Sequence, residues 1–341
     1  MRQHLFISNF KKSVKPLALL LIFIAIIIFS IFIIGQKFYY ASTQNKINVF
    51  SRQRFEEFYK SKALDLIFVG SSHSYCTFDP EVFNSKLNLN SYQLGMPSQT
   101  PDSTYYTLLE VLNYQEPKII VMELYYLMLA TDFDMKQFDQ LFQFLNNPGL
   151  KEDYIKNVFP NSAKAKYTIP TIHYQADFLN YWNARLVNFL SNEFNLTQDI
   201  KQSNGTEYYR SLGYVYCDHY MDDEDIADTK KSFSYDGENF EFSERQLLYL
   251  QKIVELCDER GVRLFFVTAP ISNAAFDNID NYGLMYEKIA GFCESAGVNY
   301  VDYNIVNRDR GLLAPANFRD RNHVNDSGAK IISGDYSNYL D

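Results

Sequence analysis

From residue 63 onward, short apolar blocks alternate with segments of helical period. Asp65–Val69 is a brief apolar run that ends in Gly70, and Lys118–Leu124 (KIIVMEL) is a second. Arg263–Thr268 (RLFFVT), stopped by Pro270, and Val298–Tyr303 complete the set of predicted core strands. Helical spacing covers Thr104–Leu112, Leu247–Cys257, Tyr286–Ala296 and the closing stretch Ser327–Leu340. Strands apolar on both sides, separated by helices, predict a parallel sheet covered on both faces. Right-handed crossovers make that sheet a doubly wound layer.

Three stretches break the rhythm. Leu17–Ile34 is an uninterrupted apolar run, preceded by Arg2, Lys11, Lys12 and Lys15 with no acid. As a helix at about 1.5 Å per residue it nearly spans a hydrocarbon core of about 30 Å. The basic flank then places residues 1–16 in the cytoplasm and the rest outside. A cleaved signal peptide is the rival reading, but Tyr39 and Tyr40 spoil a small-residue cleavage site. Residues 35–62 read as a juxtamembrane stalk with a polar helix, and 63–341 as the extracytoplasmic domain. Within it, residues from about 130 to 245 lack clean strands and are too long for a loop. This stretch is expected to be a mostly helical insertion over the carboxyl edge of the sheet.

Composition narrows the function. The chain is 47% hydrophobic with a net charge of -9, and no Lys/Arg stripe follows the first fifteen residues. That excludes a nucleic-acid footprint. Cys76, Cys217, Cys257 and Cys293 form no CxxC pair, so no zinc site and no other metal or cofactor is expected. Buried free thiols are the simpler reading, with an extracellular disulfide left open.

Ligands of open α/β sheets bind beyond the carboxyl ends of the strands. Three features arrive at that edge. Gly70-Ser71-Ser72-His73-Ser74 follows the first strand directly. Leu94-Gly95-Met96-Pro97-Ser98-Gln99 precedes a helix, and its glycine permits close backbone approach. Asp320-Arg321-Asn322-His323 precedes the last helix, with Asp and His on one turn. Each alone is an ordinary turn or loop. Their joint occurrence, in this order, is what points to chemistry.

This order is similar to that of the SGNH/GDSL hydrolases, over roughly residues 63–130 and 245–341. The family's Gly-Asp-Ser is matched by Gly70-Ser71-Ser72, with Ser71 in the place of the usual Asp. Asp320 and His323 match its D-x-x-H. With its N-terminal anchor the chain looks most like the DltD-like and polysaccharide O-acetylation branch. The resemblance implies a three-layer α/β/α, flavodoxin-like sheet and a Ser72–His323–Asp320 triad. His323 would take the proton of Ser72 as the hydroxyl attacks an ester carbonyl, and Asp320 would fix the imidazole. The amides of Ser72 and Gly95 would hold the oxyanion. His73 is expected to contact substrate or to play a structural part, and Gln99 to contact substrate. Asp326 and Ser327 are expected to cap the closing helix, with Asp326 the reserve acid if Asp320 faces away. One departure stands out: Glu123 occupies the place of an oxyanion-donating Asn, and an ionised carboxylate cannot donate.

The expected activity is therefore an extracytoplasmic serine esterase or acyltransferase. Its O-acyl substrate would sit on a cell-surface glycan or teichoic-type polymer, with a multi-pass membrane acyltransferase as a possible partner. The competing expectation, favoured by Glu123, is an inactive SGNH-like module that binds glycan or docks to such an acyltransferase.

Overall fold

A computed structural model describes residues 16–30, 49–132, 135–168, 203–204 and 206–340. The chain divides into two compact units, Met1–Ile47 with Ile155–Gln198, and Asn48–Tyr154 with Asp199–Asp341. The first unit contains a helix over residues 16–30, whose apolar side chains, Leu19 and Phe23 among them, are exposed. Among the described residues, no helix is long and apolar enough to cross a membrane. Residues 31–34 of the expected span, and the basic flank before it, lie outside the described residues.

Among the described residues, the second unit holds ten short strands. In chain order they are β1 (Leu66–Val69), β2 (Ser91–Gln93), β3 (Ile119–Glu123), β4 (Ser203–Asn204), β5 (Glu207–Ser211), β6 (Tyr214–Cys217), β7 (Tyr235–Asp236), β8 (Arg263–Thr268), β9 (Ile279–Asp280) and β10 (Asn299–Asp302). Five form the central sheet in the order β10-β8-β3-β1-β2, and every neighbouring pair is parallel. Counting only these five, the order is 2-1-3-4-5, the doubly wound arrangement. Its direction reverses between β1 and β3, so the crevice for a ligand opens beyond their carboxyl ends.

The sheet is buried on both faces, as its apolar runs predict. On one face Leu66, Phe68, Ile119, Val121, Phe265 and Val267 share a core with Phe78, Phe83, Ile332 and Tyr336. Phe68 stacks on Phe78 at 5.3 Å and meets Phe83 at 4.7 Å. Side chains of alternate residues, Ile67, Val69, Ile120, Met122 and Phe266, are equally buried on the other face. There the Glu244–Glu259 helix packs on β8 and on the Pro101–Tyr114 helix. The predicted elements fall within a few residues of these bounds. The three-residue β2, with two polar positions of three, carries too weak a pattern to be read from sequence.

Two expectations need correction. Residues 49–58, assigned to a stalk, form a helix that belongs to the sheet-bearing unit. Its Phe50, Phe55 and Phe58 are buried, and Arg54 is fully buried. Arg54 Nε donates to Gly213 O at 2.7 Å and Nη1 to Gly95 O at 2.6 Å. The polar look of the segment misleads, because a guanidinium that finds backbone carbonyls can be buried. The insertion is helical at Met135–Phe144, Pro148–Val158, Asn161–Thr168 and Asp223–Ser232, but not throughout. β4, β5 and β6 build a small antiparallel sheet. Leu212 and Gly213, both with positive φ, join β5 to β6. This tip docks on the free edge of β2, where Gln93 N donates to Leu212 O at 2.9 Å. Residues 169–202 of the insertion lie outside the described residues.

Phe68 sits at the centre of the packed face with 0% exposure. Phe68→Ala is expected to destabilise the sheet-bearing unit by about 4 kcal/mol, read from urea unfolding. A loss below about 1 kcal/mol would mean that this face is not the core.

Candidate active site

The site grows from the turn after β1. Gly70 has φ +128, and a Cβ there would come within 2.8 Å of Glu123 Cβ. Only glycine accepts both the conformation and the approach. Ser71 then caps a short helix, Ser72–Thr77, its Oγ accepting from His73 N at 3.2 Å. The cap is itself held. Ser71 N and Ser71 Oγ both donate to Glu123 Oε2, at 2.9 and 2.7 Å. Ser71 is thereby buried, while Ser72 is left partly exposed at the sheet edge.

The second arm is the loop before the last helix. Phe318 and Val324 pair as an antiparallel bridge, and Arg319 N donates to His323 O at 3.0 Å. Between them Asp320 Oδ1 accepts from Asn322 N at 2.8 Å and His323 N at 3.0 Å. This tight turn folds His323 back onto Asp320, with Nδ1 at 2.9 Å from Oδ1 and 3.0 Å from Oδ2. His323 Nε2 lies 2.8 Å from Ser72 Oγ, across 251 residues of chain. An ionised carboxylate only accepts, so Nδ1 carries the proton, and Nε2 presents its lone pair to the Ser72 hydroxyl.

Burial would push the Asp320 carboxyl up, but the His323 bond, the His323 charge and Arg319 together hold it well below the usual carboxylate range. It is thus ionised at neutral pH, as a partner of an imidazolium must be. His73 lies beside His323 with ring centroids 4.7 Å apart and stacks on Tyr125 at 3.9 Å. Burial, and then the nearby charge of His323, push the His73 imidazole well below its ordinary value. His73 is therefore neutral and serves as an apolar plate against His323. At 2% exposure it does not face solvent, where substrate contact was expected.

Gln99, also expected to meet substrate, is equally buried, and its Nε2 donates to Thr107 Oγ1 at 3.0 Å. Gly95 lies near the turn after β1, yet its amide donates to Gln93 Oε1 at 2.8 Å. Its glycine serves close packing instead: a Cβ would sit 3.0 Å from both Ser71 O and Ser74 Cβ. The Ser72 amide makes no hydrogen bond among the described residues. Asp326 is turned away, accepting from Lys330 Nζ at 2.6 Å and Tyr214 OH at 3.3 Å. Asn325, not Asp326, binds the start of the last helix, its Oδ1 accepting from Gly328 N at 3.2 Å. All four cysteines are free and buried. Among the described residues, no cluster of His, Cys, Asp and Glu could hold a metal ion.

Sequence reasoning missed that Glu123, in the place where the resemblance implies an oxyanion-donating Asn, turns its carboxyl to Ser71 and holds the turn. It also passed over Arg319, whose Nε lies 3.3 Å from Asp320 Oδ2, and over Glu207, the other partner of Arg319. Arg319 could have been suspected from its place beside Asp320. Glu207 lies 112 residues away and carries no such signal.

No protein-family model matches the chain, and no curated protein matches it. Among solved structures, the chain is similar to a protein of Desulfitobacterium hafniense DCB-2 described as lipolytic and of the G-D-S-L family. That match has 9% identity and a TM-score of 0.38, over 80% of this chain and 98% of the other. It is similar also to a Bacteroides fragilis NCTC 9343 protein described as an acylhydrolase, with 11% identity and a TM-score of 0.35 over 84% and 94%. A third, from Parabacteroides merdae ATCC 43184, is described as a GDSL-like lipase, with 10% identity and a TM-score of 0.34 over 82% and 98%.

Burial pushes the Glu123 carboxyl up from 4.5 to about 7, against the two bonds from Ser71, which lower it. The folded protein therefore holds this proton more tightly than the unfolded chain does. Its contribution to stability is full below about pH 4.5 and is lost as pH rises through about 7. Glu123→Gln keeps an acceptor for Ser71 without the titration. Between about pH 5 and 8, wild type is expected to lose roughly 2–3 kcal/mol relative to this variant. Parallel stability curves for the two proteins would rule out the buried, protonated carboxyl.

Proposed function

We propose that the chain is a serine esterase or acyltransferase of the SGNH type, acting on O-acyl groups of a cell-surface glycan or teichoic-type polymer. One observation carries the reading: the continuous hydrogen-bonded line from Asp320 through His323 to Ser72 Oγ. Nucleophile, base and orienting acid stand within bonding distance at the crevice where an open α/β sheet receives its ligand.

In this reading His323 Nε2 takes the hydroxyl proton as Ser72 Oγ attacks the ester carbonyl carbon. The imidazolium that forms is stabilised by Asp320 and then protonates the leaving alkoxide. The Ser72 amide supplies one oxyanion donor, worth about 3 kcal/mol in a preorganised site. The Gly95 amide joins it only if Gln93 Oε1 gives it up. The acyl-enzyme passes to water in an esterase, or to a second hydroxyl in a transferase. The apolar run 17–34 and its basic flank support a membrane tether with the catalytic unit outside the cell. That location is the reason to look for the acceptor, and for a multi-pass acyltransferase partner, at the envelope.

The full-length protein is expected to hydrolyse p-nitrophenyl acetate. Ser72→Ala and His323→Ala should each abolish at least about 99.9% of kcat, and Asp320→Asn should lower it by about 10³–10⁴. Turnover that survives both Ser72→Ala and His323→Ala would refute the assignment. Folded wild type that is silent toward this ester, with or without glycan acceptors, would favour the non-catalytic module instead.

A further inference from the structure

Arg319 stands between two carboxylates at the back of the catalytic turn. Its Nη1 pairs with Glu207 Oε1 on β5, and its Nε lies 3.3 Å from Asp320 Oδ2. The Arg319 and Glu207 side chains are only 13% and 19% exposed, so this pair is shielded more than surface ion pairs are. Asp320 is 46% exposed. Its Oδ1 is fixed by the amides of Asn322 and His323, while its Oδ2 faces Arg319 as well as the imidazole.

A half-exposed carboxylate fixed at one oxygen can still pivot about that oxygen. The Arg319 charge opposes that pivot, its Nε standing 3.3 Å from Oδ2 without a hydrogen bond to it among the described residues. Glu207 matters for the opposite reason. Arginine and a carboxylate tend to close into a two-bond fork. A cavity of about 200 Å³ lies beside the pair, walled by Thr206, Cys217 and His219 together with the three charged groups. It leaves Arg319 room to swing fully onto Asp320 and compete with the imidazole for Oδ2. The pull of Glu207 holds the guanidinium at the distance where it steadies Asp320 without capturing it.

We propose that Arg319 is a positioning residue for Asp320, and that Glu207, supplied by the hairpin inside the insertion, is what keeps Arg319 in register. The insertion is then part of the catalytic machinery and more than a cover. This rests on the Ser72–His323–Asp320 reading of the site.

The test uses the full-length protein and three readouts: thermal stability, kcat and KM for p-nitrophenyl acetate, and the downfield proton resonance of His323 Nδ1–H. Arg319→Ala and Glu207→Gln should each lower kcat by about ten- to a hundredfold with KM changed less than about twofold, and should shift or broaden that proton. Arg319→Lys should recover part of kcat. The deciding variant is the charge swap, Glu207→Arg with Arg319→Glu. It keeps an ion pair between hairpin and loop but sets a carboxylate against Asp320. It should regain the melting temperature while kcat stays low and the proton stays shifted. If the swap restores kcat along with stability, Arg319 and Glu207 form only a structural tether and the proposal falls. It falls too if Arg319→Ala folds with the proton and kcat unchanged. Turnover that persists in Ser72→Ala would instead defeat the esterase reading, and the His323 proton would still report on Arg319.

Discussion

The clasp between Glu123 and Ser71 is the constraint on which the site depends. Glu123 ends β3 and Ser71 follows β1, the two strands that flank the point where the sheet reverses its winding. One carboxylate oxygen receives both donors of Ser71. That bond fixes where the Ser72–Thr77 helix begins, and so where Ser72 Oγ is presented. Gly70 is the price of this closeness, since any side chain there would meet Glu123. The other oxygen of Glu123 is buried without a partner. A buried oxygen of that kind is costly as part of an anion, which agrees with a carboxyl pushed up to about 7.

The elements around the sheet turn out to be coupled to this centre. Arg54, on a helix that precedes the first strand, joins the Gly95 loop to the tip of the β5–β6 hairpin through two carbonyls. The same hairpin caps the edge of β2 and, at its other end, carries Glu207 to Arg319. Covering an exposed strand edge is a common need of open sheets. Here the covering element also reaches the loop that holds Asp320 and His323.

The two halves of the line from Asp320 through His323 to Ser72 are built differently. The Asp320–His323 half is local: three residues of spacing and one tight turn bring carboxylate and imidazole together, and the turn's own amides hold it. The Ser72–His323 half is long-range and exists only because the last helix packs beside the first crossover. Tyr336 of that helix meets Phe78 at 5.6 Å, and Ser333 Oγ accepts from Asp79 N at 2.9 Å. Packing of this kind sets a distance of 2.8 Å between groups 251 residues apart.

Strand and helix periods, the sharp turn at Gly70 and the Asp320–His323 spacing are properties of adjacent residues. Local sterics and the two periods of secondary structure suffice to determine them from sequence. The parallel sheet and the residues at its carboxyl edge were legible for that reason. Only the tertiary structure decided that the 49–58 helix is core, because its pattern cannot show which carbonyls will receive Arg54. The same holds for the occupied amide of Gly95, the burial of His73 and Gln99, and the partners of Glu123 and Arg319. Each of these depends on which distant group arrives at a buried polar atom, and hydrogen bonds between remote elements leave no period in the chain.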